Sequence, residues 1–83
     1  MKCFNHNLTK DINLKFNHHK DSSYWAELVQ NDNSIPIPLL LTETEAIQAV
    51  NRLKGIPLHN YPIGYLRMIV AGCIKITISG VHL

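Results

Sequence analysis

The sequence predicts an α+β domain: an antiparallel sheet of four to five strands with one helix packed on one face, in the order β-β-β-α-β-β. Three observations point there. Residues 12–19, INLKFNHH, place Ile12, Leu14 and Phe16 on one side and Asn13, Lys15 and Asn17 on the other, the period of a half-buried strand. Residues 42–55 carry a full set of helix start and stop signals. Polar clusters at 20–23 and 31–34 cut the first half of the chain into strand-length pieces.

Taken in order, a first strand is expected at 2–6 and a second at 12–19. The turn Lys20-Asp21-Ser22-Ser23 leads to a third strand at 24–30, YWAELVQ, rich in aromatic and branched residues. After Asn31–Ser34 comes IPIPLLL. Pro36 and Pro38 have no N–H to give a ladder, so this piece belongs at an edge, or is an extended segment that becomes regular near Leu39–Leu41. The helix is expected over about 43–54. Thr42 is its N-cap and Glu45 completes a capping box. Glu43 and Glu45 sit at the positive end of the helix dipole. Ala46, Ile47, Val50 and Leu53 form the apolar stripe, and Gly55 with Pro57 ends it. Residues 55–63 form a proline-stiffened loop. GYLRMIV and CIKITI, on either side of Ala71-Gly72, predict a C-terminal hairpin, because Ile74, Ile76 and Ile78 alternate with Lys75, Thr77 and Ser79. The alternative for its first half is a short helix over 62–71, started by Pro62 and stopped by Gly72.

With 83 residues, the chain is expected to form one domain, 1–83. A charged fraction of 17% is low for a chain that is 46% hydrophobic, which predicts some apolar surface of the kind that meets a partner. The eight Lys and Arg are scattered from Lys2 to Lys75, with a net charge of only +2. Nucleic acid is therefore a partner the composition permits but does not indicate. The opening MKCFNHNLTKD lacks the apolar core of a secretory leader. The longest apolar run, Met68–Ile74, is far short of the ~20 residues of a membrane span. Two cysteines, Cys3 and Cys73, make no disulfide framework. The expectation is a cytoplasmic protein with free thiols and no membrane partner.

Cys3-x-x-His6 followed by His18 and His19 has zinc-type ligands. Pairing 2–6 with 12–19 around Asn7–Asp11 puts His6 near Ile12, and His18 then lies roughly 20 Å further along the ladder at ~3.3 Å per residue. Ligands ~2 Å from one ion cannot be that far apart, so no metal is predicted. No cofactor is predicted either, because the four glycines stand singly at element boundaries and form no phosphate loop. Cys73 has no glycine-rich elbow around it and reads as a small, partly buried hydrophobe. Glu43 and Glu45 are explained by capping. No catalytic residues are assigned, and the protein is predicted not to be an enzyme.

The candidate site comes from strand register. An even register across the Lys20–Ser23 turn puts Phe16 opposite Ala26 and Leu14 opposite Leu28, with His18 facing Tyr24. Asn13, Lys15, Asn17 and His19 then lie beside Trp25, Glu27 and Val29 on the face away from the helix. A slip of one residue would swap the faces and bury Trp25. A single Trp among polar and basic groups has the composition of a binding hot spot. The predicted partner-binding residues are Lys15, Asn17, His19, Lys20, Trp25, Glu27 and Arg67. The C-terminal hairpin, apolar on both faces, is a candidate homodimer surface.

These features predict a small binding protein that acts stoichiometrically on a protein partner, a larger host complex. In size, layout and lack of a catalytic motif the chain resembles the small accessory proteins of phages and mobile elements, anti-CRISPR inhibitors among them. That resemblance implies occupation of an effector's surface in the host cytoplasm, and it assigns no residue a role. The second reading is a nucleic-acid-binding or regulatory accessory protein using Lys15, His19, Lys20 and Trp25 with Arg52, Lys54 and Arg67.

Overall fold

A computed structural model describes residues 3–80, and Cys3 by its backbone alone. Lys2, where the first strand was expected to start, lies outside the described residues. The chain forms β1 (Cys3–Asn7), β2 (Ile12–His18), β3 (Ser23–Gln30), β4 (Asn33–Thr42), α1 (Glu43–Leu53), a 3₁₀ turn (Leu58–Asn60) and α2 (Ile63–Ser79). The four strands make one antiparallel meander in chain order, and the helices follow. The α+β class stands. The order is β-β-β-β-α-α rather than β-β-β-α-β-β.

The C-terminal hairpin is replaced by α2. Its buried residues, Leu66, Val70, Ile74 and Thr77, are spaced four, four and three apart, one stripe of a helix. The alternation of Ile74, Ile76 and Ile78 misled because 63–79 has only Arg67 and Lys75 as charged residues, so that periods of two and of 3.6 can both be drawn through it. Thr77 is tolerated inside because its hydroxyl donates to the Cys73 carbonyl one turn back, at 2.8 Å. Pro62 does precede the first turn, but Gly72 is passed without a break. The stop is Gly80, left-handed at φ 70°. With no hairpin there is no hairpin surface for a homodimer.

At α1 both bonds of the capping box form. The Glu45 amide donates to Thr42 Oγ1 at 3.1 Å and the Thr42 amide to Glu45 Oε1 at 2.8 Å. The helix ends one residue earlier than expected. Lys54 caps it in right-handed geometry, and Gly55 takes no left-handed turn.

The β2–β3 register is the expected one: Leu14 opposite Leu28, Phe16 opposite Ala26, His18 opposite Tyr24. Asp21 and Asn31 take left-handed backbone (φ 54° and 55°) in the two tight turns, which their short polar side chains allow. The β1–β2 register differs by two residues, with His6 opposite Leu14 and Phe4 opposite Phe16. Thr9 sets it: the amides of Leu8 and Thr9 both reach the Ile12 carbonyl, and the Ile12 amide donates back to Thr9 Oγ1. β4 is extended over ten residues, Asn33–Thr42, and forms an edge of the sheet. Its register shifts between Trp25 and Ala26, so that Pro38 and Leu39 are extra.

One face of the sheet carries Ile12, Leu14, Phe16, Ala26, Leu28, Ile37 and Leu41. Ala46, Ala49, Val50 and Leu53 of α1 and Leu66, Val70 and Ile74 of α2 complete one buried cluster with them. Both helices therefore cover the same face, and no element among the described residues covers the other face of the sheet.

Candidate functional site

The uncovered face is ordered by three rungs. Asn17, Trp25 and Leu40 align on one; Lys15, Glu27 and Pro36 on the next; Asn13, Val29 and Ser34 on the third. Because Tyr24 and Ala26 are buried, the period of two turns Trp25 to the uncovered face. Trp25 is half-buried among its neighbours, and Leu40 beside it is 51% exposed.

Glu27 organises the polar part. Its Oε1 accepts from Asn17 Nδ2 at 3.1 Å and lies 3.8 Å from Lys15 Nζ. Its Oε2 accepts from the Ser34 hydroxyl. Three partners from two neighbouring strands hold one carboxylate in place. The groups around Trp25 are thus hydrogen-bonded to each other and pre-arranged, which lowers the ordering cost of binding.

Of the predicted site residues, Lys15, Asn17, Trp25 and Glu27 come together here. His19 and Lys20 are exposed in the adjoining β2–β3 turn, where the His19 amide bonds the Ser23 carbonyl at 2.9 Å. Arg67 does not belong to this site. It was assigned to a strand of the hairpin, and it lies on α2, in the layer that covers the opposite face. Arg52 and Lys54, at the end of α1, are in that layer too. The cations of the second reading are therefore divided between two sides of the sheet, and the centre of the Trp25 face is a carboxylate. Leu40 and Ser34 are members the sequence did not disclose. The two extra residues leave the alternation of β4 intact, with Ile37 and Leu41 buried and Pro36, Pro38 and Leu40 exposed, but three successive leucines show no alternation in the sequence itself.

The histidines are separated. With His6 opposite Leu14, it stands four residues from the rung of His18, roughly 13 Å at ~3.3 Å per residue. The expected 20 Å shrinks with the corrected register but still exceeds what one ion spans. Among the described residues no three His, Cys, Asp or Glu side chains gather in one place. His18 donates from Nε2 to the Asp21 carbonyl at 2.8 Å and stands edge-on to Tyr24, which ties down the turn.

Cys73, expected in a turn, lies in the middle of α2 and packs partly against the core. Burial pushes its thiol pKa up, and the Arg52 guanidinium offsets this only in part. Less thiolate at neutral pH means slower nucleophilic chemistry. In a Cys3→Ser variant, iodoacetamide at pH 7.5 should therefore alkylate Cys73 more slowly in the folded protein than in urea. Equal rates, followed by mass spectrometry, would show the thiol to be unprotected.

No helix among the described residues is long and apolar enough to cross a membrane. Comparison with protein-family models, with curated proteins and with solved structures gives no match to this chain. The fold and the surface are what bear on function: a small two-layer α+β domain with one sheet face uncovered.

Proposed function

We propose that this is a non-enzymatic binding protein that acts by stoichiometric protein–protein interaction through the uncovered sheet face. The observation that carries it is Trp25, seated between Asn17 and the exposed Leu40, with Glu27 fixed by Lys15, Asn17 and Ser34 on the next rung. A rigid aromatic anchor beside an exposed aliphatic, ringed by polar groups already paired, is how binding hot spots are built. Inhibition of a larger host complex in the host cytoplasm, in the manner of phage-encoded anti-CRISPR proteins, is the form of this activity that the size and style of the chain suggest.

The test compares wild type with Trp25→Ala, each immobilised and exposed to host lysate. One protein should be retained at one-to-one stoichiometry and lost with the variant. Truncating a central aromatic anchor costs about 2 kcal/mol or more, roughly a 30-fold rise in Kd. A retained protein whose affinity is unchanged by Trp25→Ala would remove the sheet face from the reading. Mobility shift of DNA or RNA that weakens steeply with salt would favour the nucleic-acid reading instead.

A further inference from the structure

A second surface lies on the other side of the molecule. Between β4 and α2 runs an open cleft of about 490 Å³. Ile37, Pro38 and Leu39 line it from the strand, and Met68, Ala71 and Gly72 from the helix. Met68 is 66% exposed, and a side chain added at Gly72 would meet no atom within 4 Å, so the trough is apolar and unfilled.

Two cations, Arg67 and Lys75, complete the lining, both exposed. They stand one four-residue step to either side of Ala71, on one stripe of α2, roughly 12 Å apart at ~1.5 Å per residue. No Asp or Glu occurs in α2. Among the described residues the one ion pair is Lys15–Glu27, so neither cation is matched by a carboxylate.

The chemistry of the lining discriminates between occupants. An added β-strand is disfavoured, because Pro36 and Pro38 remove donors from the free edge of β4. A second copy is disfavoured too. Two-fold antiparallel pairing centred on Ala71 would set Arg67 against Lys75 of the other copy, like charge on like. Charge complementarity favours a segment with the opposite pattern.

We infer that the α2–β4 cleft docks an acidic amphipathic segment of a protein partner, an apolar side chain seated over Ala71 and Gly72 between carboxylates that pair with Arg67 and Lys75. On a helical segment those carboxylates fall eight residues apart. The Trp25 face lies across the sheet, so this surface stands or falls independently of it.

The probe is a fluorescein-labelled helical peptide containing Glu-x-x-x-Leu-x-x-x-Glu, with a Lys-x-x-x-Leu-x-x-x-Lys peptide as its counterpart. Binding is read by anisotropy and located by amide chemical shifts of the ¹⁵N-labelled protein. Wild type should bind the Glu peptide about tenfold more tightly than the Lys peptide, from two exposed ion pairs. Shifts should centre on Leu39, Ala71 and Gly72. Arg67→Glu/Lys75→Glu, at exposed positions that leave the core intact, should invert the preference, and Trp25→Ala should leave it unchanged. Equal binding of the two peptides, shifts elsewhere, or no shifts at all would overturn the inference. So would binding of phosphatidylglycerol vesicles, lost on the same charge reversal, in place of peptide.

Discussion

Replacing Phe16 with alanine should remove about 3–5 kcal/mol of stability. Phe16 is fully buried at the centre of the covered sheet face, stacked on Phe4 with ring centroids 4.7 Å apart and planes at 20°. On its other flank stands Ala26, too small to fill the void left behind. At ~0.05–0.15 kcal/mol per residue a chain of this length holds about 4–12 kcal/mol in all. The variant should therefore unfold at a much lower urea concentration, or be largely unfolded without urea. Phe4 lies on edge strand β1 and is only half-buried, so Phe4→Ala should shift the midpoint by less than half as much. Equal shifts for the two variants would mean that the cluster is centred elsewhere.

Gly72 should respond in opposite directions to two substitutions. Proline there removes an amide from the middle of α2 and clashes with the preceding turn, at a cost of about 3 kcal/mol or more. Alanine should instead stabilise by about 0.5–1 kcal/mol, because it restricts the unfolded backbone and its methyl group meets nothing within 4 Å. Thermal unfolding with helical content followed by circular dichroism checks both. A chain that tolerated proline at 72 would have a turn there, and α2 would be wrong.

The same position shows where the sequence stops being readable. Residues 12–30 were legible because Ile12–Asn17 alternate cleanly and a turn of strong turn formers follows them. The strand after it does not alternate, so the even register was one of two that differ by a single residue, and the pairing of Asn17 with Trp25 is what places Trp25 on the open face. The capping box of α1 was legible because Thr42 and Glu45 satisfy each other's backbone within four residues, with no tertiary help. Residues 63–79 carry two charged side chains in 17 positions, Arg67 and Lys75. Helix and hairpin bury such a run equally well, and only its packing against β4 and α1 decides between them. Arg67 was misplaced for that reason alone. The β1 register went astray for a smaller one: Thr9 closes the turn through its hydroxyl, a bond that no apolar pattern records. Leu40 stayed hidden because Leu39, Leu40 and Leu41 are all apolar, so the sequence shows no alternation there, although the strand keeps its period of two and turns Leu40 outward.

The order of the elements also sets a schedule. Among the described residues the sheet lies in 3–42 and the helices that cover it lie in 43–79. A ribosome adding ~5–20 residues per second completes β4 about 2–7 s before it completes α2. For those seconds a nascent chain can pair its strands, since each is next to its neighbour in sequence, but Leu14, Phe16, Leu28 and Ile37 remain bare. The interval recurs with every molecule made, and it is when a holdase chaperone would find the apolar face that the finished protein hides.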